Sequence, residues 1–458
     1  MADEIRAWED DPGPPGADRS PISRPVPDLA AGPWPVEIQE AVPPPGPAEL
    51  RYWTAADALR RGVDFWTGLL DGHAGWQEEI GPRLAVTLDQ GVRLNAEYRR
   101  DRGLVFYHQE IGGHLCYSGE SPDIVGHELG HAILDALRPE LWDEMSIEIA
   151  AFHEAFGDVS ALLVALGLPG LRQAVIDETG GELWRTSRVS RIGEQLGWAM
   201  RQVTPQRAEP DCLRNASNEW FYRDPAQLPP QTPATALSSK PHSFSRVFTG
   251  AMLKILAGMV QPGAGEAELR QASRDLGQLL ADAILEAPVT AGYFSQIAAH
   301  MLVADGRRFG ARNLDALKFG FVRHGILALD SATELTGEEV PPSPPAGGED
   351  GTAEAWTALP GRRYGFAERL LVRAPPTAPA LAVEPSALDY AGTKPATAER
   401  GAEVYVEDLF RLGGVDLGGH GESRRAVPGA LAYKTHRLTE GEDGLMVRRQ
   451  VFDCGFRL

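Results

Sequence analysis

The pair His127 and His131, set four residues apart in SPDIVGHELGHAILDALRP (121–139), constrains this chain more than any other feature. On a helix, positions four apart share a face, so both imidazoles can reach one ion. The flanks call for a helix. Ser121 is an N-cap candidate, Pro122 suits the first helical position, Asp123 falls in the first turn, and Pro139 follows the end. Ile124, Val125, Leu129, Ile133, Leu134 and Leu137 supply apolar faces. Glu128 stands one residue after the first His, placed to approach a metal-activated water rather than the metal. Zinc lowers the pKa of such a water to roughly 7 and polarises a carbonyl. A carboxylate then takes the proton and passes it to a leaving amine.

A catalytic zinc takes three protein ligands. The next helical pattern, 146–166, contains EIAAFHEAFGD (148–158), in which Glu154 and Asp158 share a face. One can bind the ion while the other accepts a hydrogen bond from a ligand imidazole. Glu148 and Glu144 are rivals for the third ligand. Glu148 has Phe152 four positions on, where an acidic companion would be wanted. Glu144 lies soon after Pro139, in the expected loop between helices. Phe152, Ala155, Phe156 and Val159 around Glu154 argue against a solvated surface charge. Cys116, Cys212 and Cys454 have no zinc-finger spacing, and an odd count with no secretory signal reads as reduced thiols.

Along the chain, residues 1–48 hold twelve of the 36 prolines and read as an extended or disordered lead. Helical spacing at 55–70 precedes strand-like runs at 83–89, 92–98 and 103–108. Helical patterns follow at 243–259, 265–286, 293–304 and 312–328. Strands first and helices afterwards is an α+β signature for 49–330. Residues 331–354 read as a Pro-, Gly- and acid-rich linker. Residues 355–458 read as a small β-rich domain, on alternating runs such as AEVYVEDLF (402–410) and GLMVRRQVFDCGF (444–456).

HELGHAILD (127–135) followed by FHEAFGDVSALL (152–163) resembles the two site helices of the thermolysin-like gluzincins, a family of zinc metallopeptidases. The resemblance covers about 50–330. It implies a two-lobed α+β fold, with a mixed first lobe, a central zinc-bearing helix, a mainly helical second lobe and a cleft between. His127, His131 and Glu154 would hold one zinc, Glu128 would be the general base, and Asp158 would bond His127. Leu94-Asn95-Ala96, with Tyr98 after it, resembles the edge strand that pairs with substrate, making Asn95 and Ala96 substrate contacts. Cys212-Leu213-Arg214-Asn215 resembles the segment whose Arg binds a substrate carbonyl. Pro241-His242-Ser243 resembles the segment whose His stabilises the oxyanion. ARNLDALKFGFVRHGI (311–326) resembles the closing helix.

The chain also departs from that family. Residues 132–153 contain no Tyr to help hold the oxyanion, and no carboxylate lies between Asp224 and His242 to orient that His. The stretch from His131 to Glu154 is longer than the family's. Asp123 is placed like one calcium ligand, but its acidic partner falls near Ala165, so the family's double calcium site is not expected. The reading is a zinc endopeptidase acting on peptides or proteins. The alternative is a zinc-bound but weakly active or single-target module. A net charge of −20 repels phosphate backbones, so no nucleic-acid partner is expected. No apolar run is long enough to span a bilayer, so no membrane partner is expected either. With no secretory signal, the expected compartment is the cytoplasm, with non-classical export left open. Nothing signals an oligomer.

Overall fold

In a computed structural model, the described residues are 4–70, 72, 75–335, 356–376, 397–420 and 434–454. They form a mixed α+β protein with eleven α-helices and several small sheets. The lead folds instead of trailing. Strands β1 (Glu4–Ala7) and β2 (Ile22–Pro25) pair antiparallel, and β3 (Val36–Ile38) joins the main sheet. Ile5, Ala7, Trp34 and Val36 are buried. Polar ties fix the rest of it. Ser121 Oγ donates to Asp11 (2.5 Å), Trp8 Nε1 donates to Glu120 (3.2 Å), and Arg19 pairs with Glu194. The expectation of an extended or disordered lead counted prolines and could not count these distant partners.

After α1 (Pro47–Thr67) come β4 (Leu84–Thr87), β5 (Ala96–Arg99) and β6 (Gly103–Phe106), then a hairpin of β7 (His108–Ile111) and β8 (His114–Tyr117). Two helices follow that carry the site, α2 (Pro122–Leu137) and α3 (Ile147–Ala165). Ser121 caps α2 by accepting from the Ile124 N–H, and Ser146 caps α3 through Ile149. Every residue of α3 is buried, as is all of α2 except Ala136. A helix apolar all round belongs in a core. The two pack closely because glycines face each other: a Cβ on Gly130 would lie 2.9 Å from the Gly157 Cα, and one on Gly157 would lie 2.6 Å from His127 Nδ1.

Next are α4 (Pro169–Thr179), β9 (Arg191–Ile192), α5 (Glu194–Val203) and β10 (Arg214–Asn215). The mainly helical part follows, with α6 (Pro241–Met259), α7 (Glu266–Glu286), α8 (Tyr293–Phe309), α9 (Leu314–Arg323) and α10 (Leu329–Glu334). The helix expected over 312–328 stops at Arg323, where Gly325 turns with φ +70°. Of the expected linker, 336–354 lies outside the described residues. No single described helix is long and apolar enough to cross a membrane.

The C-terminal region contains β11 (Trp356–Leu359), β12 (Leu370–Arg373), α11 (Ala398–Arg411), β13 (Val415–Asp416), β14 (His436–Gly441) and β15 (Gly444–Arg449). Its five strands run in the order β11-β12-β15-β14-β13. The run AEVYVEDLF, read as strand, is helix. Thr397 caps it through the Arg400 N–H, and buried Ala398, Ala402, Val406 and Leu409 recur at helical spacing. The last described strand, β16 (Phe452–Asp453), leaves this sheet. It pairs antiparallel with β5 and completes the order β16-β5-β6-β4-β3.

Candidate metal centre

Helix α2 projects His127 and His131 from one face, and α3 brings Glu154 against them. Glu154 Oε2 lies 3.5 Å from His127 Nε2 and 3.9 Å from His131 Nε2. These three groups could hold a metal ion. All are essentially excluded from solvent, at 0, 0 and 2% exposure, and His127 Nε2, His131 Nε2 and Glu154 Oε2 have no hydrogen-bond partner. Buried polar atoms left unpaired are costly. Three that converge on one point fit a cation, and two imidazoles with a carboxylate are a suitable donor set for one.

The supporting groups are layered behind them. Asp158, one turn after Glu154, accepts from His127 Nδ1 at 2.8 Å. This leaves Nε2 as the nitrogen directed at the cluster. Arg214 on β10 forms a bidentate pair with Asp158, at 2.8 and 2.7 Å. Burial would raise the Asp158 carboxyl, but Arg214 and His127 pull it down to about 2. Burial would lower His127, yet its hydrogen bond to Asp158 and the nearness of the Glu154 carboxylate carry it up to about 9. Burial is also the main cause that holds His131, His153 and His242 well below the usual imidazole value. For Glu128 burial acts the other way and pushes the carboxyl up to about 8.

The sequence rivals for the third ligand go elsewhere. Glu148 accepts from Tyr222 (2.9 Å) and the Phe294 N–H (2.5 Å), and Glu144 pairs with Arg373. His242, in the first turn of α6, reaches the centre, with Nε2 3.1 Å from Glu154 Oε2. Asn95 directly precedes β5 and is buried with both amide atoms unpartnered. Ala96 opens β5, and its carbonyl accepts from the Cys454 N–H at 3.0 Å.

Three residues at the site were not singled out from sequence. Phe452 stacks on His153 (4.0 Å) and on His131 (4.9 Å). The Asp453 carbonyl accepts from His242 Nε2 at 2.5 Å. The Cys454 thiol donates to Glu128 Oε1 at 2.9 Å. The one available signal was the apolar alternation of VFDCGF, which names no partner strand. A cavity of about 360 Å³ adjoins them, and Glu154, Arg214, His242, Tyr405, Arg449 and Phe452 are among the residues that line it. Comparison with known protein families and with curated proteins finds no match to this chain.

Proposed function

We propose that this chain is a zinc-dependent endopeptidase with a thermolysin-like two-lobed domain. The reading rests above all on the convergence of His127, His131 and Glu154, whose facing atoms are buried and unpaired beside Glu128. Zinc held by those three side chains would polarise the scissile carbonyl and activate the attacking water. Glu128, adjacent in the helix and enclosed, takes the water's proton and returns it to the departing amine. His242 donates Nε2–H to the developing oxyanion. Asp158, fixed by Arg214, keeps His127 in the tautomer that directs Nε2 at the metal. The side of β5 that β16 covers is the edge with which an extended peptide would pair once β16 leaves it, and the unpartnered Asn95 amide supplies one further donor and acceptor.

The test is cleavage of a quenched peptide library by the parent and by Glu128→Gln, with zinc counted in both. The expected result is about one zinc per chain in each, and a rate about 10²–10⁴-fold lower in the variant. Equal rates would remove Glu128 from the chemistry. Zinc in both with no cleavage by either would favour the second reading, a zinc-bound binding or single-target module. That reading draws its support from the occupation of the cleft by the chain's own strand β16.

A further inference from the structure

The position a substrate would take in this cleft is held by the chain itself. β16 adds to β5 antiparallel, with Phe452 opposite Tyr98 and Asp453 opposite Glu97. The Cys454 N–H continues the ladder to the Ala96 carbonyl. This is strand addition to a sheet edge, the same mode by which an extended peptide docks. The Asp453 carbonyl occupies His242 Nε2, the donor assigned above to the oxyanion. Phe452 lies on two imidazoles, with the Arg449 guanidinium 4.1 Å above its ring.

The next residue decides between two kinds of occupant. A bound substrate would have to leave room beside the general base for the attacking water, and the side chain of Cys454 does not. It points at the base, with Cys454 Sγ 2.9 Å from Glu128 Oε1. Sγ, a His127 nitrogen and a Glu128 oxygen all lie within 4.8 Å of one another, a second potential metal-binding group that shares His127 with the first. Sulfur is a strong zinc donor, and three protein ligands plus one more close a tetrahedral site.

We propose, resting on the peptidase reading, that when zinc binds Cys454 passes its thiol proton to the Glu128 oxygen it faces, and Sγ becomes a fourth protein donor to the zinc. Through it, Phe452–Cys454 hold the enzyme in a latent form. The segment fills the β5 edge, engages His242 and Glu128, and takes the coordination position that water needs. The C-terminal region that delivers it is anchored beside the cleft. Arg448 pairs with Asp143 (2.7 Å), Arg449 Nε donates to the Trp142 carbonyl (2.9 Å), and Asp408 accepts from Ser239 (2.8 Å). Access for a substrate then requires β16 to leave β5 while these anchors persist.

The test uses the full chain loaded with zinc. X-ray absorption at the zinc edge should detect one sulfur neighbour at about 2.3 Å. Cys454→Ser should lose that neighbour, keep its zinc, and cleave quenched peptide on the order of tenfold faster or more, because a tethered competitor acts at an effective millimolar concentration. In the parent, alkylation of Cys454, located by peptide mapping, should be slow with zinc and fast after chelation. The absorption and alkylation measurements need no variant, so misfolding of Cys454→Ser would not blunt the test. About one zinc per chain with no sulfur neighbour overturns this inference and leaves the peptidase reading standing. No zinc in the parent overturns both. A parent chain found cut after Asp453 shows the segment to be a substrate, which overturns latency while supporting the peptidase.

Discussion

The α2–α3 pair and the β16 segment meet at the same few atoms, yet they are held there by different physics. Helices α2 and α3 are buried along almost their whole length, capped by Ser121 and Ser146, and brought together over Gly130 and Gly157. Each imidazole and carboxylate is placed by its own helix, and His127 is held as well by Asp158 of the facing helix. β16 is two residues long and depends on partners more than 350 positions earlier in the chain. The difference separates a site that is built from an occupant that is delivered. A rigid metal cluster gains from local preorganisation, whereas a segment that must leave gains from having few contacts of its own.

The same difference governs how much was legible in the sequence. Helix period, capping residues and His-Glu-His spacing are local signals, and they located His127, Glu128, His131, Glu154 and Asp158, which the fold brings together. Arg214 and His242 lie on distant elements, and only resemblance pointed to them. The structure places Arg214 on Asp158 and His242 beside Glu154. The use of Cys454 was invisible, since the pairing of Phe452 with Tyr98 is long-range and strand alternation does not name its partner. The misread of 402–410 has a related cause. A short run of Val and Tyr alternates like a strand, while its helical partners, Ala398 and Leu409, sit at the ends of the window.

The largest expected effect contrasts two phenylalanines. Phe156 on α3 is fully buried, with its ring 4.8 Å from Trp66, and Phe452 on β16 is 3% exposed. Phe156→Ala should lower global stability by about 3–5 kcal/mol, as large cavities in fixed cores do. Phe452→Ala should cost less than about half of that, because undocking the short strand limits the loss. Denaturant unfolding measures both, and hydrogen exchange at Cys454, whose N–H is bonded to Ala96, should quicken in the second variant alone. Equal losses would mean that β16 is as integral to the core as α3.

A smaller effect probes the built side of the comparison. Asp158→Asn keeps the size of the side chain but removes the charge that orients His127 and pairs with Arg214. Zinc affinity, measured against a competing chelator, should fall about 10–100-fold. Unchanged affinity would show that the metal helices need no support behind His127.

The smallest effect tests whether Glu148 and Glu154, six positions apart on α3, have separate duties. Glu148 is pushed up to about 8 by burial, against hydrogen bonds from Phe294 and Tyr222 that lower it. The folded chain therefore holds a proton there that the unfolded chain, near the usual 4.5, gives up. A raised carboxyl favours the fold fully below that lower value, and its contribution is lost as pH rises toward 8. The slope of stability against pH from this group is at most about 1.4 kcal/mol per unit, negative in sign. Glu148→Gln should remove it, so unfolding curves of parent and variant should diverge across that window while zinc content stays the same. Parallel curves would discard the buried proton. A loss of zinc in Glu148→Gln would tell against the other half of the comparison, since it would show that the metal depends on the carboxylate that Tyr222 and Phe294 now hold away from it.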